Sequence, residues 1–227
     1  MGKLIVIEGL DATGKETQTK LLLNNLLDRG QNVQMVSFPD YDSPSSSLVK
    51  MYLSGDFGKK PGDVNAYAAS SFYAVDRYAS FKTKWQSFYD GGGTVIADRY
   101  TTSNIIHQAS KIRDVQTLEQ YLGWIEDFEY TLMGLPRPDV VFFLNLPLDI
   151  SIKMMQTRNN KFSGESQKDI HESDINYLAA TYDSALRMCE RFGWTKIPCG
   201  DNGEMFSIEQ IQKQILGKLG IQEEKKR

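Results

Sequence analysis

The stretch "MGKLIVIEGLDATGKETQTKLLL" (residues 1–23) runs a β-branched-rich apolar segment, Lys3 to Glu8, straight into a glycine turn and then a leucine stripe. Gly9, Gly14 and Lys15 satisfy the spacing G-x-x-x-x-G-K of a phosphate-binding loop. The last position of that pattern, normally Ser or Thr, holds Glu16. Glycines at these points let the backbone turn its N–H groups toward phosphate oxygens, the helix N-terminus adds favourable polarity, and Lys15 adds a full positive charge. Gly9, Leu10, Asp11, Ala12, Thr13, Gly14, Lys15, Glu16 and Thr17 are therefore the expected contacts of a nucleotide's phosphates. Glu16 removes a hydroxyl that usually joins a Mg²⁺ shell. A carboxylate can still serve a hard cation, directly or through water. Thr17 is one position too late to replace the missing hydroxyl.

Outward from the loop, strand-like and helical patterns alternate. Leucines at 21, 22, 23, 26 and 27 mark a helix over Lys15 to Arg29, stopped by Gly30. Val33 to Phe38, Thr94 to Asp98, Val140 to Leu144 and Trp194 to Pro198 read as further strands. Between them the spacing predicts a short helix through Leu53 after "YDSPSSS" and a long one over Asp63 to Tyr89, ended by Gly91-Gly92-Gly93. Helical stretches follow near 101–111 and 114–133, from Pro147 and from Ser207. This order argues for an α/β chain with a five-stranded parallel sheet covered by helices on both faces. The chemistry of such sheets sits beyond the carboxyl ends of the strands.

The chain has 227 residues, 41% hydrophobic and 24% charged, the size and balance of a single globular unit. A formal net charge of −3 gives no general attraction for nucleic acid. The two cysteines, Cys189 and Cys199, form no C-x-x-C, and the apolar run at the N-terminus is too short for a membrane span or signal peptide. A cytoplasmic protein is expected, with neither membrane nor nucleic acid as partner.

Other clusters fall at the strand ends. "DRY" puts Asp98, a candidate metal carboxylate, and Arg99, a candidate phosphate fork, at the end of a buried strand. Asp11 is a further candidate for a water-mediated metal contact. Tyr73 and Arg77 share one helix face, an arrangement suited to stacking and hydrogen-bonding a base; core packing of Tyr73 and a solvated Arg77 fit the same spacing. Asn104 shares a face with His107 or Gln108.

Taken in order, "EGLDATGK", "FPDYDSP", "FYAVDR", "DRYTTSNIIHQ" and "GLPRPDVVFFLNLP" resemble the thymidylate kinase family over most of the chain. The resemblance implies a P-loop NTPase-type three-layer fold, one nucleoside-monophosphate-kinase-like domain over 1–227, and a mobile lid near 157–172. It implies phosphoryl transfer from ATP to dTMP with Mg²⁺, and a homodimer. On the family pattern Tyr73 stacks on thymine, Arg77 bonds the base, Asn104 lies near the base and His107 near the sugar. Phe38 and Tyr41 line the acceptor pocket, and Arg99 holds the dTMP phosphate. Asp11 and Asp98 serve the acceptor–metal side, and Glu172 faces the acceptor. Glu16 departs from the family's Ser or Thr at that position and is expected to recruit or reposition Mg²⁺ rather than abolish it. The family's Asp-Arg-x-x-Glu lid motif is replaced by "DIHE" (Asp169 to Glu172), which leaves Arg158, Lys161 or Lys168 to assist transfer.

An acceptor phosphate is already an anion at neutral pH, so a chain with two histidines is chemically sufficient. Two rival readings are a deoxynucleoside kinase, with Asp40 as base for a 5′-hydroxyl, and a non-catalytic nucleotide-binding protein disabled at Glu16.

Overall fold

The computed structural model describes residues 1–156, 170–171 and 174–221. Along β1 (Lys3–Gly9) side chains alternate between two cores: Leu4 and Val6 face one, Ile5 and Ile7 the other. That double burial is why Leu4 to Ile7 are apolar at every position rather than at alternate ones.

The chain continues through α1 (Lys15–Asp28), β2 (Val33–Ser37), α2 (Ser47–Leu53), α3 (Ala66–Ser80), α4 (Gln86–Asp90), β3 (Thr94–Asp98) and α5 (Thr101–His107). It then forms α6 (Val115–Glu126), β4 (Val140–Asn145), α7 (Leu148–Gln156), α8 (Ile175–Phe192) and β5 (Thr195–Pro198). A small antiparallel hairpin, β6 (Gly200–Asp201) with β7 (Glu204–Met205), precedes α9 (Ile208–Lys218). The large sheet is parallel in the order β2-β3-β1-β4-β5. Leu22 and Leu26 of α1 and Ile211 and Ile215 of α9 close one face; Trp85, Tyr89 and Tyr100 close the other.

β1 is the central strand, and the chain builds out on either side of it, so the crevice at its carboxyl end is the natural ligand site of such a sheet. The register aligns Ile7 with Asp98, which brings the glycine loop and the end of β3 side by side.

Several boundaries differ from expectation. The helix expected over Asp63 to Tyr89 starts at Ala66, because the Asn65 side chain caps it by accepting from the Ala68 N–H at 2.9 Å. Pro61–Asp63 is a separate 3₁₀ turn, and a π-helical segment, Phe81–Trp85, divides α3 from α4. The helix expected near 114–133 likewise turns π-helical over Asp127–Leu132. The long helix α8 was not expected. Its buried face mixes Leu178, Ala185 and Met188 with Thr181 and Ser184, and those small polar residues interrupt the apolar stripe. Ser184 is buried because its hydroxyl donates to the Ile106 carbonyl at 3.0 Å. The β6–β7 hairpin turns at Asn202-Gly203, both at positive φ (52° and 80°), the conformation a tight Asn-Gly hairpin requires.

Candidate active site

The loop between β1 and α1 is held open by its own backbone. Gly14 is at φ 82° and Ala12 at 61°, and a Cβ on Gly9 would sit 2.7 Å from Thr13 Oγ1. Thr13 Oγ1 donates to the Leu10 carbonyl at 2.9 Å, and Lys15 Nζ donates to the same oxygen at 2.6 Å. Ser151, at the start of α7, supports the loop from outside by donating to the Asp11 carbonyl at 2.8 Å. Burial, with Arg99 nearby, lowers the Lys15 pKa to about 8, against the opposing pull of Asp11, Asp98 and Glu8.

Arg99 follows β3 at φ 66°, an uncommon conformation for a branched-free cationic residue outside glycine turns. It aims the guanidinium at the loop: Nη2 donates to Asp11 Oδ1 at 2.5 Å, and Nη1 lies 3.3 Å from His107 Nε2 and 3.5 Å from Glu8 Oε1. Burial disfavours the Arg99 charge, but Asp11, Glu8 and Asp98 more than restore it. Burial likewise works against ionised Asp11, and Arg99 with Lys15 outweighs it, holding that carboxyl well below the usual carboxylate range. Asp98 differs: burial pushes its pKa up despite Lys15 and Arg99.

Fully buried Glu8 organises this end. Oε1 accepts from the Gly9 N–H at 2.9 Å, and Oε2 accepts from the hydroxyls of Thr102 (2.7 Å) and Ser103 (2.8 Å) on α5. A second buried carboxylate, Glu129 in the π-helical segment, organises the other end. It takes Arg77 Nε at 2.7 Å and Nη2 at 2.5 Å, Thr101 Oγ1 at 2.7 Å and Asn104 Nδ2 at 2.9 Å. Burial disfavours the Arg77 charge and Glu129 overcomes that, leaving its pKa raised. The short helix α5 thus spans the site, with Thr102 and Ser103 on Glu8 and Thr101 and Asn104 on Glu129.

The two histidines meet between these ends. Their rings are nearly parallel (11°) with centroids 6.0 Å apart. His107 is kept neutral by burial and by Arg99, and His171 is lowered to about 3 by burial and by Lys111. Tyr52 OH lies 2.8 Å from His171 Nε2 and accepts from Lys111 Nζ at 2.9 Å. Tyr73 packs its ring edge-on to Tyr52, centroids 6.3 Å apart.

A family model described as thymidylate kinase matches residues 7–192. The chain belongs to the thymidylate kinase family. A thymidylate kinase of Schizosaccharomyces pombe is 28% identical over 197 residues, 82% of this chain and 86% of that protein. One of Mycobacterium tuberculosis is 28% identical over 179 residues, 78% of this chain and 81% of that protein. The solved structure of the Candida albicans thymidylate kinase superposes with a TM-score of 0.71 at 22% identity, covering 96% of this chain and 91% of that one, a likeness of fold.

Within the family framework, the structure joins Asp11, Lys15, Asp98, Arg99 and His107 at the loop, and Arg77 with Asn104 at Glu129. Phe38 packs into the core against Tyr100, ring centroids 5.8 Å apart, and Tyr41 is surface-exposed. Thr17 is exposed on α1. Glu16 is 42% exposed in its side chain and pairs with Lys20 one turn along α1 at 2.8 Å. Arg158, Lys161, Lys168, Asp169 and Glu172 lie outside the described residues. Sequence reasoning did not single out Glu8, Glu129, Tyr52, Lys111 or His171 for the site. For Glu8 the signal was present: a lone carboxylate ending a fully buried strand needs partners.

Proposed function

We propose that this chain transfers the γ-phosphoryl group of ATP to dTMP, giving dTDP and ADP for DNA precursor synthesis. The observation that carries the reading is the Arg99–Asp11 ion pair, which ties the acceptor-side cation to the donor-side loop. Lys15, the loop amides and the N-terminus of α1 hold the donor phosphates. Arg99 holds the acceptor phosphate, Arg77 and Asn104 meet the base, Tyr73 stacks on it, and His107 lies by the sugar. Positioning two reactants in line and compensating their charge is most of what phosphoryl transfer asks of a protein.

Lys15 and Arg99 stand among Glu8, Asp11 and Asp98, two formal positive charges against three negative, a net of minus one. Two anions meeting there need additional positive charge. The donor set suits Mg²⁺: Asp98 and Asp11 offer oxygens, and among the described residues no group of three ligands forms a closed cage. Mg²⁺ retains several waters and binds through one or two carboxylates plus phosphate. Held by Asp98 and Asp11, the ion would supply positive charge to offset the negative charge of the donor phosphates. Glu16, partly exposed at the first turn of α1, adds a carboxylate able to reach the ion's water shell. Arg158, Lys161 or Lys168 supplies further charge from a lid near 157–172, within a single domain over 1–227.

Asp40, the base a nucleoside kinase would need, is engaged by Lys84. We assign the chain to the cytoplasm, on its two free cysteines. Its homodimer partner is placed on the outer face of α3, where Val75 and Tyr78 are 46% and 40% exposed. The test is ADP release with ATP–Mg²⁺ against dTMP, dUMP, dGMP and thymidine. Turnover with dTMP and none with thymidine is expected; the reverse overturns the proposal.

A further inference from the structure

The base end of the site carries more information than its residue types. A carboxylate and a carbonyl oxygen are acceptors only, so the side-chain group of Asn104 that meets both Glu129 Oε1 (2.9 Å) and the Ser70 carbonyl (3.2 Å) has to be its NH₂. Both amide hydrogens are thereby used. The remaining polar atom, Oδ1, is an acceptor with no hydrogen-bond partner among the described residues. Arg77 is constrained in the complementary way. Glu129 takes Nε–H and one hydrogen of Nη2, and Nη1 has no partner among the described residues. The guanidinium therefore keeps donors, and only donors, to offer.

Each residue taken alone is ambiguous. An asparagine amide can present either end, and an arginine on a flexible stem can turn. Glu129 removes both ambiguities at once, and Thr101 Oγ1 fixes its carboxylate by donating to Oε2 at 2.7 Å. The pair is also fully buried, so the Arg77 charge is neutralised where an uncharged base is to be bound.

Resting on the reading that Arg77 and Asn104 face the base, we infer that Glu129 is a positioning residue that sets the hydrogen-bond polarity of that edge. The edge becomes one acceptor, Asn104 Oδ1, beside one donor group, Arg77. A pyrimidine with a 4-carbonyl and an N3–H is its complement, as in thymine and uracil. Cytosine presents an N4 amino donor to the Arg77 donors and an unprotonated N3 to the Asn104 acceptor, mismatching both. Rejection of dCMP thus originates in a carboxylate that does not touch the substrate.

Glu129→Gln tests this, because a glutamine amide can donate to Asn104 Oδ1 and let that amide turn over. Initial rates are measured with dTMP, dUMP and dCMP at saturating ATP–Mg²⁺. In the variant, KM for dTMP rises while kcat changes little, and the dTMP-to-dCMP ratio of kcat/KM falls about tenfold or more. The dTMP-to-dUMP ratio stays constant, since those bases share the same polarity. A role confined to stability lowers all three activities together, and a folded variant with an unchanged dTMP-to-dCMP ratio overturns the inference. Thr101→Val, which keeps the ion pair and removes one donor to Glu129, shifts the same ratio in the same direction. It decides the matter if Glu129→Gln does not fold, an unchanged ratio again overturning the inference. A wild-type chain that fails to phosphorylate dTMP at all sinks the proposed function instead, independently of Glu129.

Discussion

Arg99 and Asp11 come from different parts of the sheet's carboxyl edge, yet Arg99 Nη2 donates to Asp11 Oδ1 at 2.5 Å. The pair is what makes one site out of a loop and a strand end. Arg99 is a planar fork, so Asp11 can occupy one edge while other donors stay available to a phosphate. Arg99→Lys keeps the charge and loses the fork. Its kcat with dTMP is expected to fall on the order of a hundredfold, with thermal stability nearly unchanged. A rate within a few-fold of wild type would show that charge alone suffices at this position.

Lys111 gives a pH signature. It donates to Tyr52 OH and to the Val64 carbonyl, and burial lowers its pKa from 10.5 to about 7. Between those two values the unfolded chain binds the extra proton, so this group's contribution to stability improves as pH rises through that window. The unfolding free energy of the wild type, measured against Lys111→Met by urea titration, is expected to shift in favour of the wild type between about pH 7 and pH 9. A pH-independent difference contradicts a depressed Lys111.

Glu16 occupies the hydroxyl position of the loop and hydrogen-bonds Lys20 at 2.8 Å. If its carboxylate also takes part in the metal's water shell, Glu16→Ser changes the Mg²⁺ concentration that gives half-maximal velocity at fixed ATP. An unchanged Mg²⁺ profile contradicts a metal role for Glu16.

The sheet and the loop were legible because buried parallel strands write themselves as unbroken apolar runs, and because Gly9, Gly14 and Lys15 occur where a strand becomes a helix. The buried carboxylates were harder. Glu129 sits in "EDFEY", which reads as the solvated end of a helix, and the extra residue of a π turn is what rotates it inward. Nothing in the spacing announces that change of register. Arg77 and Asn104 were legible as polar residues on useful faces, but their orientation was not, since Glu129 sets it from 52 and 25 positions away. Phe38 shows the converse: the Phe-Pro signal was plain, and the ring serves the core beside Tyr100.

The central claim is that two anionic nucleotides react head to head across the Arg99–Asp11 bridge. Its most direct measurement follows the label from ATP carrying an isotopic γ-phosphorus, with Mg²⁺ and dTMP, and identifies the labelled product. The account predicts label in dTDP, with ADP formed in equal amount. Label found only in inorganic phosphate, or passed to the 5′-hydroxyl of thymidine while dTMP stays untouched, would contradict it.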